Sequence, residues 1–277
     1  MTDLPAHDQT AFGRWLERWQ LVPAGSSSAT RSGRFLPVTF RGVDAMLKVV
    51  TEPEEKSGSQ VLAWWDGEGA ARVLASADDA VVLERAMGPG SLAARAHGGH
   101  DAAVTSILCQ VAATLHAKDP GDRPAGVVPL EDWFRELWPA ARARGGILAG
   151  GAVAAEELLA NQQDVVVLHG DLHHDNVLDF GERGWLAIDP KGLLGERSFD
   201  FVNLLRNPDA ELALAPGRFA SQVAVIADVA RIEPRRLLQW TLAFTCLSAA
   251  WISGDGDDPT LDLAVAALAQ RQLELIS

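Results

Sequence analysis

The sequence predicts an α+β chain in which a small strand-rich lobe is followed by a larger, mostly helical lobe. Two observations lead to this expectation. Through residue 86 most apolar residues fall in short runs typical of strands, and after the turn-forming run MGPG at 87–90 they recur at helical spacing. We therefore expect residues 1–86 to form one lobe and residues 87–277 the other. A chain of 277 residues is long enough to bury a sizeable core.

The small lobe is predicted to contain helices and paired strands. Apolar residues recur at helical spacing over residues 11–22, and the loop GSSSATRSG then interrupts the pattern. Strands are expected at 35–40 and 44–50, followed by a helix that carries Val61 to Trp65. A last hairpin, ARVLAS and AVVLERA, turns at Asp78-Asp79. This order places strands on both sides of one internal helix.

The large lobe is predicted to be helical except around one polar stretch. The expected helices are 101–117, 131–144, 152–162, 198–206, 218–230, 234–252 and 259–275. The stretch VVVLHGDLHHDNVLDF at 165–180 begins as a buried strand, and a second strand, GWLAIDP, follows at 184–190. Histidine, aspartate and asparagine side chains therefore crowd the end of a buried strand, and function is expected there.

Composition narrows the classes of partner. The net charge of −13 and the lack of a visible basic face argue against a nucleic-acid partner, whose phosphates require Lys and Arg. An acidic surface usually serves solubility, and it would also suit a cationic substrate. No run approaches eighteen apolar residues, and the first residues resemble no export signal, so we expect neither a membrane span nor secretion. Cys109 and Cys246 lie in apolar helical segments, as in a reduced, cytoplasmic protein. We expect a monomer.

Two chemistries could use the polar residues at 169–176. A hydrolytic zinc site needs three or more protein ligands, often with one far along the chain. None of the seven histidines follows His174 and the sequence contains no HExxH, so six neighbouring residues would have to provide nearly every ligand. The spacing therefore disfavours a metal hydrolase.

Phosphoryl transfer explains more of these residues. In kinase-type catalytic loops an aspartate accepts the proton of the acceptor hydroxyl, and an asparagine five positions later binds the metal ion. Asp171 and Asn176 have this spacing. Asp189, on the next strand, lies where a second Mg²⁺ ligand belongs, because hard oxygen ligands hold such an ion across nucleotide phosphates.

The same hypothesis predicts a lysine that contacts the nucleotide phosphates. Lys48 lies near the end of a predicted strand and is the only lysine before the helix that follows. Glu55, at the start of that helix, is the expected partner that orients Lys48, and Glu54 is the alternative. The combination of Lys48 with the downstream motif favours a functional role for this lysine.

Two further segments are expected at the nucleotide. The last strand of the small lobe ends at Glu84 to Ala86, whose backbone atoms would contact the adenine base. The loop at 26–35 lacks GxGxxG, so its backbone amides and the hydroxyl groups of Ser27 and Ser28 would have to cover the phosphates. An ordinary polar turn is the alternative for these serines.

The runs LHGDLHHDNVL and WLAIDPKGLLGERSFD resemble the aminoglycoside phosphotransferase family, whose fold is similar to that of the protein kinases. Together with CLSAAW at 246–251 and the acidic residues after it, they are most similar to the streptomycin 6-kinase and hydroxyurea phosphotransferase branch. The resemblance covers essentially the whole chain. IDP replaces the DFG of protein kinases and no APE follows, which fits a small-molecule kinase without a regulated activation loop.

The resemblance implies a bilobal, protein-kinase-like fold and a kinase that uses ATP or GTP with Mg²⁺. The expected acceptor is a small cationic antibiotic, specifically streptomycin, phosphorylated at its 6-hydroxyl group. The alternative acceptors are hydroxyurea and some other small hydroxyl metabolite. The alternative role is that of a nucleotide-binding regulatory module. Carboxylates and an aromatic face would bind the guanidinium groups of streptomycin. The candidate acceptor contacts are His173, Asp175, Glu196, Trp251, Asp255 and Asp258. A solvated turn is the alternative for Asp255 and Asp258, and hydrogen bonds to the loop backbone are the alternative for His173 and Asp175.

Overall fold

The structure is a computed structural model that describes residues 6–30, 33–50 and 55–276. An antiparallel sheet dominates the N-terminal part and helices dominate the rest, which confirms the predicted fold class. The last strand of the sheet ends at Glu84 and the next helix begins at Leu92, so the boundary expected at 86–87 falls in the connection between them.

The N-terminal part is built around β4, the middle strand of its sheet. The elements are α1 (Ala6–Trp19), β1 (Val22–Pro23), β2 (Ser28–Ala29), β3 (Gly33–Phe40), β4 (Val43–Val50), α2 (Glu55–Trp65), β5 (Val73–Ala77) and β6 (Ala80–Glu84). The sheet order is β1-β3-β4-β6-β5, with β2 paired to β3, and all of these pairs are antiparallel. Side chains alternate between the faces of a strand, so β4 directs one set towards α1 and the other towards the C-terminal part.

Helix α1 packs on one face of this sheet. Phe12 and Trp15 are buried in the same cluster as Leu36 of β3 and Leu47 of β4. The helix predicted at 11–22 is therefore present but begins earlier, at Ala6, and ends at Trp19. It ends there because the next residue, Gln20, has a φ of +52°, which a continuing right-handed helix cannot adopt.

The C-terminal part has mostly helical elements around a few short strands. They are α3 (Leu92–Arg95), a π-helical turn (Ala96–His100), α4 (Asp101–His116), β7 (Val128–Pro129), α5 (Leu130–Trp133), α6 (Leu137–Arg144), α7 (Gly146–Ala160), β8 (Val165–Leu168), β9 (Val177–Asp179), β10 (Trp185–Ala187), β11 (Leu193–Glu196), a 3-10 helix (Arg197–Leu205), α8 (Ala210–Ala213), α9 (Arg218–Ala230), α10 (Pro234–Gly254) and α11 (Thr260–Leu275). Strands β9 and β10 form a hairpin, and β11 lies between β7 and β8.

Helix α10 is central to the C-terminal core. Trp240 and Phe244 of α10 both contact the ring of Phe199, with centroid distances of 5.6 and 5.3 Å. By length and composition alone α10 would suit a membrane span, but 72% of its most apolar window is buried inside the protein. Its apolar residues thus pack against other helices of the same chain.

The predicted elements differ from the structure mainly near residues 131–160 and 190–200. The helix expected at 131–144 is divided into α5, a short 3-10 turn and α6, and the one expected at 152–162 already begins at Gly146. Gly145, with a φ of +62°, ends α6 and redirects the chain. Strand β11 was not predicted, because its four residues, LLGE, have no recognisable alternation; pairing with β8 stabilises it.

The β9–β10 hairpin holds the connection between the two parts. The amide of Gly88 donates to the Asp179 carbonyl at 2.9 Å, and the amide of Gly90 donates to Oδ2 of Asp179 at 3.0 Å. A Cβ atom at Gly88 would come within 2.1 Å of Asp179 Cγ, so this close approach requires glycine. Arg183, in the hairpin turn, binds the carboxylate of Glu84. The last residue of β6 and the connection are therefore both anchored to the hairpin.

Candidate active site

The loop between β8 and β9, which carries Asp171, is anchored by one buried carboxylate. Asp200 accepts hydrogen bonds from the backbone amides of His169 at 2.9 Å and Gly170 at 2.7 Å. The Asp200 carboxylate also contacts the ring of His116 on α4, whose Nε2 atom is 2.7 Å from Asp200 Oδ2. Asp200 is 1% exposed, so the loop is held from the interior of the protein.

The protonation states in this anchor follow from burial and hydrogen bonding. Burial lowers the pKa of His169 and favours the neutral ring. A neutral ring suits its two contacts, since Nε2 is 2.8 Å from the Ile188 carbonyl and Nδ1 accepts from the Asp171 amide at 3.2 Å. Burial alone would raise the pKa of Asp200, but its interactions with His116, His169 and the Gly170 amide together outweigh burial, and the pKa is lowered. The anchor is therefore an ionised carboxylate.

Asp171 reaches solvent while its carboxylate is held by amide groups. Asn203 Nδ2 donates to Oδ1 of Asp171 at 3.1 Å. Asn176 Nδ2 donates to the Asp171 carbonyl at 2.8 Å and lies 3.4 Å from Oδ2 of the carboxylate. The Asp171 side chain is 34% exposed, so a hydroxyl group from solvent has access to it. Asp171 is therefore an oriented carboxylate that a hydroxyl group can approach, which is compatible with the role of a general base.

Lys48 and Asp189 form an ion pair between the two parts of the chain. Lys48 lies on β4 with its side chain 5% exposed, and Asp189 follows β10 with its side chain 19% exposed. Asp189 has a φ of +57°, a region that is unusual for residues other than glycine and often found at functional sites. The predicted phosphate-binding lysine and the predicted metal ligand are thus in direct contact.

Backbone hydrogen bonds on both sides of Asp189 join it to the catalytic loop. The amide of Ile188 donates to the Asn176 carbonyl at 2.9 Å, and the amide of Lys191 donates to the His169 carbonyl at 2.7 Å. Asp189 is consequently held at a fixed position relative to Asn176. The residues that sequence spacing assigned to one site do lie together.

Asn176 and Asp189 fit the ligand set of a Mg²⁺ ion that is bound together with nucleotide phosphates. Such sites use one or two side-chain oxygens and take their other ligands from phosphates and water. Because Asn176 turns its Nδ2 atom towards the Asp171 carbonyl, its Oδ1 atom lies on the other side of the amide. Among residues 6–30, 33–50 and 55–276, no three His, Cys, Asp or Glu side chains form a cluster that could hold an ion.

An apolar cavity of about 160 Å³ lies beside the Lys48–Asp189 pair, and both residues line it. Both parts of the chain contribute apolar side chains to its walls: Phe35, Met46, Leu62, Leu83, Leu178, Phe180 and Ile188. Glu84, Arg85 and Ala86 line it as well, at the end of β6. The cavity is therefore narrow, mostly apolar and bordered by peptide groups, which suits a flat heterocyclic ring.

Helix α2 approaches this site so closely that one of its residues must be glycine. A Cβ atom at Gly58 would lie 1.8 Å from the carbonyl oxygen of Pro190, the residue after Asp189. We expect Gly58→Ala to push α2 away from this loop, lowering the free energy of unfolding by about 1–3 kcal/mol and raising the KM for nucleotide. Chemical denaturation and steady-state kinetics measure the two effects.

Gly150→Ala is the matched control for this substitution. Gly150 is exposed on α7, and a Cβ atom there would meet nothing within 4 Å. Alanine is the better helix former, so this variant should be as stable as wild type or slightly more so. A Gly58→Ala variant that behaves like Gly150→Ala would show that the close approach to Pro190 has no role.

Of the predicted nucleotide contacts, the two at the end of β6 lie at the cavity and the two serines do not. Glu84 and Ala86 line the cavity, and the Glu84 carboxylate also accepts from the Arg72 amide at 2.7 Å. Ser28 pairs with Phe35 on β3, while neither Ser27 nor Ser28 lines the cavity. Their contact with phosphates stays a prediction.

The predicted partner of Lys48 lies at the limit of the described chain. Glu55 is the first residue of α2, but its side chain is outside the described part, as is all of Glu54. The pairing of Lys48 with either glutamate stays a prediction. What the structure does give Lys48 is the contact with Asp189.

Glu196 was predicted to contact the acceptor, and the structure gives it a different role. It is 1% exposed, and its two oxygens are 2.7 and 2.5 Å from the guanidinium of Arg236. The amide of Gln163 also donates to it, at 3.0 Å. A carboxylate enclosed in this way is bound to its own chain. Glu196 therefore joins β11 to α10 and does not bind substrate.

The other predicted acceptor contacts occupy two separate places. His173 and Asp175 lie on the catalytic loop; His173 Nε2 is 3.9 Å from Asp171 Oδ1, and Asp175 is exposed. Trp251 is half-buried, and its ring meets that of Trp133 edge-on at 5.2 Å. These three side chains retain access to solvent, so their acceptor contacts stay predictions.

The acidic residues between α10 and α11 also serve the local backbone. Asp255 caps the end of α10, and Asp258 accepts from the amide of Thr260 at 3.0 Å at the start of α11. The hydrogen bond from the Thr260 hydroxyl, and then that from its amide, lower the pKa of Asp258. Turn chemistry explains both positions. The structure gives no separate support for acceptor binding by Asp255 or Asp258.

Two residues with buried side chains belong to this site although sequence spacing did not reveal their roles there. Asn203 contacts Asp171, and His116 contacts Asp200. Each of these contacts joins segments far apart in sequence, and neither is part of a recognisable motif.

Comparison with known proteins identifies the family. The family profile described as aminoglycoside/hydroxyurea antibiotic resistance kinase matches residues 18–256. The chain belongs to this family. A streptomycin 3''-kinase from Klebsiella pneumoniae is 48% identical over 268 residues, covering 94% of this chain and 100% of that protein. A streptomycin 6-kinase from Streptomyces glaucescens is 30% identical, covering 92% of this chain and 86% of that protein.

Solved structures agree on the fold of this aminoglycoside/hydroxyurea kinase family member. A thermostable mutant of aminoglycoside phosphotransferase APH(4)-Ia, in a ternary complex with ADP and hygromycin B, superposes with a TM-score of 0.64. The sequence identity is 14%, and 96% of this chain and 97% of that chain are covered. The chain therefore has the protein-kinase-like fold of the aminoglycoside phosphotransferases, as its resemblance implied.

Proposed function

We propose that this kinase transfers the γ-phosphoryl group of ATP to streptomycin, at the 3''-hydroxyl group. The observation that carries the proposal is the meeting of two residue pairs: Lys48 with Asp189 at a narrow apolar cavity, and Asp171 with Asn176 in the loop that is hydrogen-bonded to the chain on both sides of Asp189. These are the residue types that phosphoryl transfer uses.

Asp171 is proposed as the base of the reaction. The hydroxyl group of the acceptor gives its proton to the Asp171 carboxylate as the acceptor oxygen bonds to the γ-phosphorus atom. The bond from that phosphorus to the bridging oxygen breaks, and ADP leaves with the electron pair. Asp171 is suited to this because it is half-exposed and its side chain is oriented by Asn203.

The proposed nucleotide site uses both parts of the chain. The apolar cavity would hold the adenine ring between side chains of the sheet and of the β9–β10 hairpin, with peptide groups of Glu84 to Ala86 at its edge. Lys48, which lines the same cavity, would contact the phosphates. When bound with the nucleotide, Mg²⁺ would neutralise charge on the phosphates, held by Asn176 and Asp189.

The 3''-hydroxyl replaces the 6-hydroxyl expected from the sequence. The relative that shares 48% of its residues with this chain is named a streptomycin 3''-kinase, whereas the 6-kinases share 29–30%. Both names point to streptomycin as the acceptor. The net charge of −13 is compatible with a substrate that carries guanidinium groups.

A substrate panel with product analysis tests this proposal. Release of ADP is followed with streptomycin, hydroxyurea and hygromycin B in turn, each with Mg²⁺ and either ATP or GTP. We expect turnover with streptomycin and ATP, and NMR of the product should show one phosphoryl group at the 3'' position.

Other outcomes of the panel separate the alternatives. A product phosphorylated at the 6-hydroxyl would contradict the position but support the acceptor. Turnover of hydroxyurea alone would contradict the acceptor class. If Mg²⁺ and ATP raise the melting temperature while no compound is phosphorylated, the chain is a nucleotide-binding module.

A further inference from the structure

Asn203 is the buried residue that touches the side chain of the proposed base most closely. Its Nδ2 atom donates to Oδ1 of Asp171 at 3.1 Å, whereas Asn176 Nδ2 is 3.4 Å from Oδ2 and His173 Nε2 is 3.9 Å from Oδ1. The last two distances are near or beyond the limit for a hydrogen bond. The donor that orients the Asp171 carboxylate is therefore the Asn203 amide.

Asn203 is itself held in place by groups behind it. It is 3% exposed and lies in the 3-10 helix Arg197–Leu205, whose residues pack against α10. Asn207 Nδ2 donates to the Asn203 carbonyl at 2.9 Å, and Arg218 donates to the Asn207 carbonyl at 2.9 Å. Arg218 is in turn bound to Asp101 at 2.7 Å. A chain of hydrogen bonds thus runs from the start of α4 to the active site.

We infer that Asn203 is a positioning residue, which fixes the Asp171 side chain so that Oδ2 faces the acceptor hydroxyl. This role rests on the proposed function of Asp171 as the base. A donor on Oδ1 restricts rotation of the carboxylate about its last side-chain bond, which is otherwise broad and soft.

Loss of this orientation is expected to have a large effect on the rate. A misplacement of about 1 Å in a reacting group can reduce a rate on the order of 100-fold. Removing the Asn203 amide should therefore slow phosphoryl transfer and not accelerate it. Nucleotide binding should be unaffected, since Asn203 does not line the apolar cavity.

The test compares Asn203→Leu, Asn203→Asp and the control Thr245→Val, all in the full chain. Leucine is of similar size but has no donor, and aspartate replaces the donor with a second carboxylate facing Asp171. Thr245 is a fully buried residue of α10 whose hydroxyl donates to the Thr241 carbonyl at 2.7 Å, so the control removes a buried hydrogen bond elsewhere. Melting temperature, kcat and the KM for ATP are measured for each.

We expect kcat to fall about 10- to 100-fold in both Asn203 variants, with the KM for ATP within about twofold of wild type. Thr245→Val should keep its kcat. A kcat within twofold of wild type in either Asn203 variant overturns the inference, as does an equal loss of kcat in Thr245→Val. If leucine prevents folding, Asn203→Ser, which keeps a shorter donor, is compared with Asn203→Asp, and serine should retain the higher kcat.

The measurements use the acceptor that wild type phosphorylates fastest. If the wild-type protein does not phosphorylate streptomycin, the proposed acceptor is wrong, and the variants are compared with another compound of the panel. If wild type phosphorylates none, the same kcat comparison is made on hydrolysis of ATP, in which water takes the place of the acceptor. The failure of the proposed function is thus visible in wild type, and the failure of the inference only in the variants.

Discussion

Replacing Asp189 with alanine is expected to lower kcat by about 1,000-fold while the protein stays folded. The expectation follows from the contact of Asp189 with Lys48 and from its fixed position beside Asn176. A metal ion at developing phosphoryl charge stabilises the transition state by several kcal/mol, and about 4 kcal/mol corresponds to that factor. Because the Asp189 side chain is 19% exposed and pairs with the buried Lys48, its removal should also lower stability, which the melting curve measures.

The assay for Asp189→Ala is ADP release with the best acceptor, beside a melting curve without nucleotide. Asp189→Asn keeps the shape of the side chain and should lose most of the activity as well, since it loses the charge. Asp228→Ala removes an exposed carboxylate of α9 and serves as the control, with unchanged kcat expected. Near-normal turnover of Asp189→Ala would mean that this carboxylate holds no metal ion.

The parts of the site that sequence could predict are those with short, rigid spacing. Asp171 and Asn176 lie five positions apart in one tight loop, and Asp189 lies thirteen positions after Asn176, across one hairpin. These short separations in sequence keep the three residues close in space. Lys48 was found differently, as the lysine of a strand, and the interior position of β4 explains why its side chain is buried.

The parts that could not be predicted depend on contacts between distant segments. Glu196 looked like a candidate substrate contact because it is a carboxylate close to the motif in sequence. Its guanidinium partner, Arg236, lies 40 positions later, and only the packing of α10 against the 3-10 helix brings them together. Asn203 was overlooked for the opposite reason, since an asparagine inside an apolar helix carries no pattern that singles it out.

The elements themselves were predictable where apolar spacing is long and regular. Helices α9, α10 and α11 lie within two residues of the predicted bounds. Short strands were harder to predict, because four residues are too few to show the alternation of apolar and polar side chains that marks a strand with one buried face. Strand β11 exists because β8 and β7 hydrogen-bond to its two edges, which is information from tertiary structure.

Replacing Asp200 with asparagine is expected to destabilise the protein by about 3–5 kcal/mol and to abolish activity. Removing a buried charge that accepts several hydrogen bonds lowers the free energy of unfolding by about this amount, because its donors stay buried without an adequate acceptor. Here the donors are the amides of His169 and Gly170 and the ring of His116. Asp200 lies within the 3-10 helix Arg197–Leu205, so these hydrogen bonds join that helix to the catalytic loop.

The pH dependence of stability gives this prediction a second readout. The folded pKa of Asp200 is lowered, so its contribution to stability is fully present above the pKa of the unfolded chain and is lost as pH falls through the folded pKa. Wild type should therefore lose stability on acidification below about pH 4, and Asp200→Asn should lose less. Urea denaturation between pH 7 and pH 3 measures both, with Asp228→Asn as the exposed control. A variant whose stability equals that of wild type at pH 7 would mean that the catalytic loop does not depend on this carboxylate.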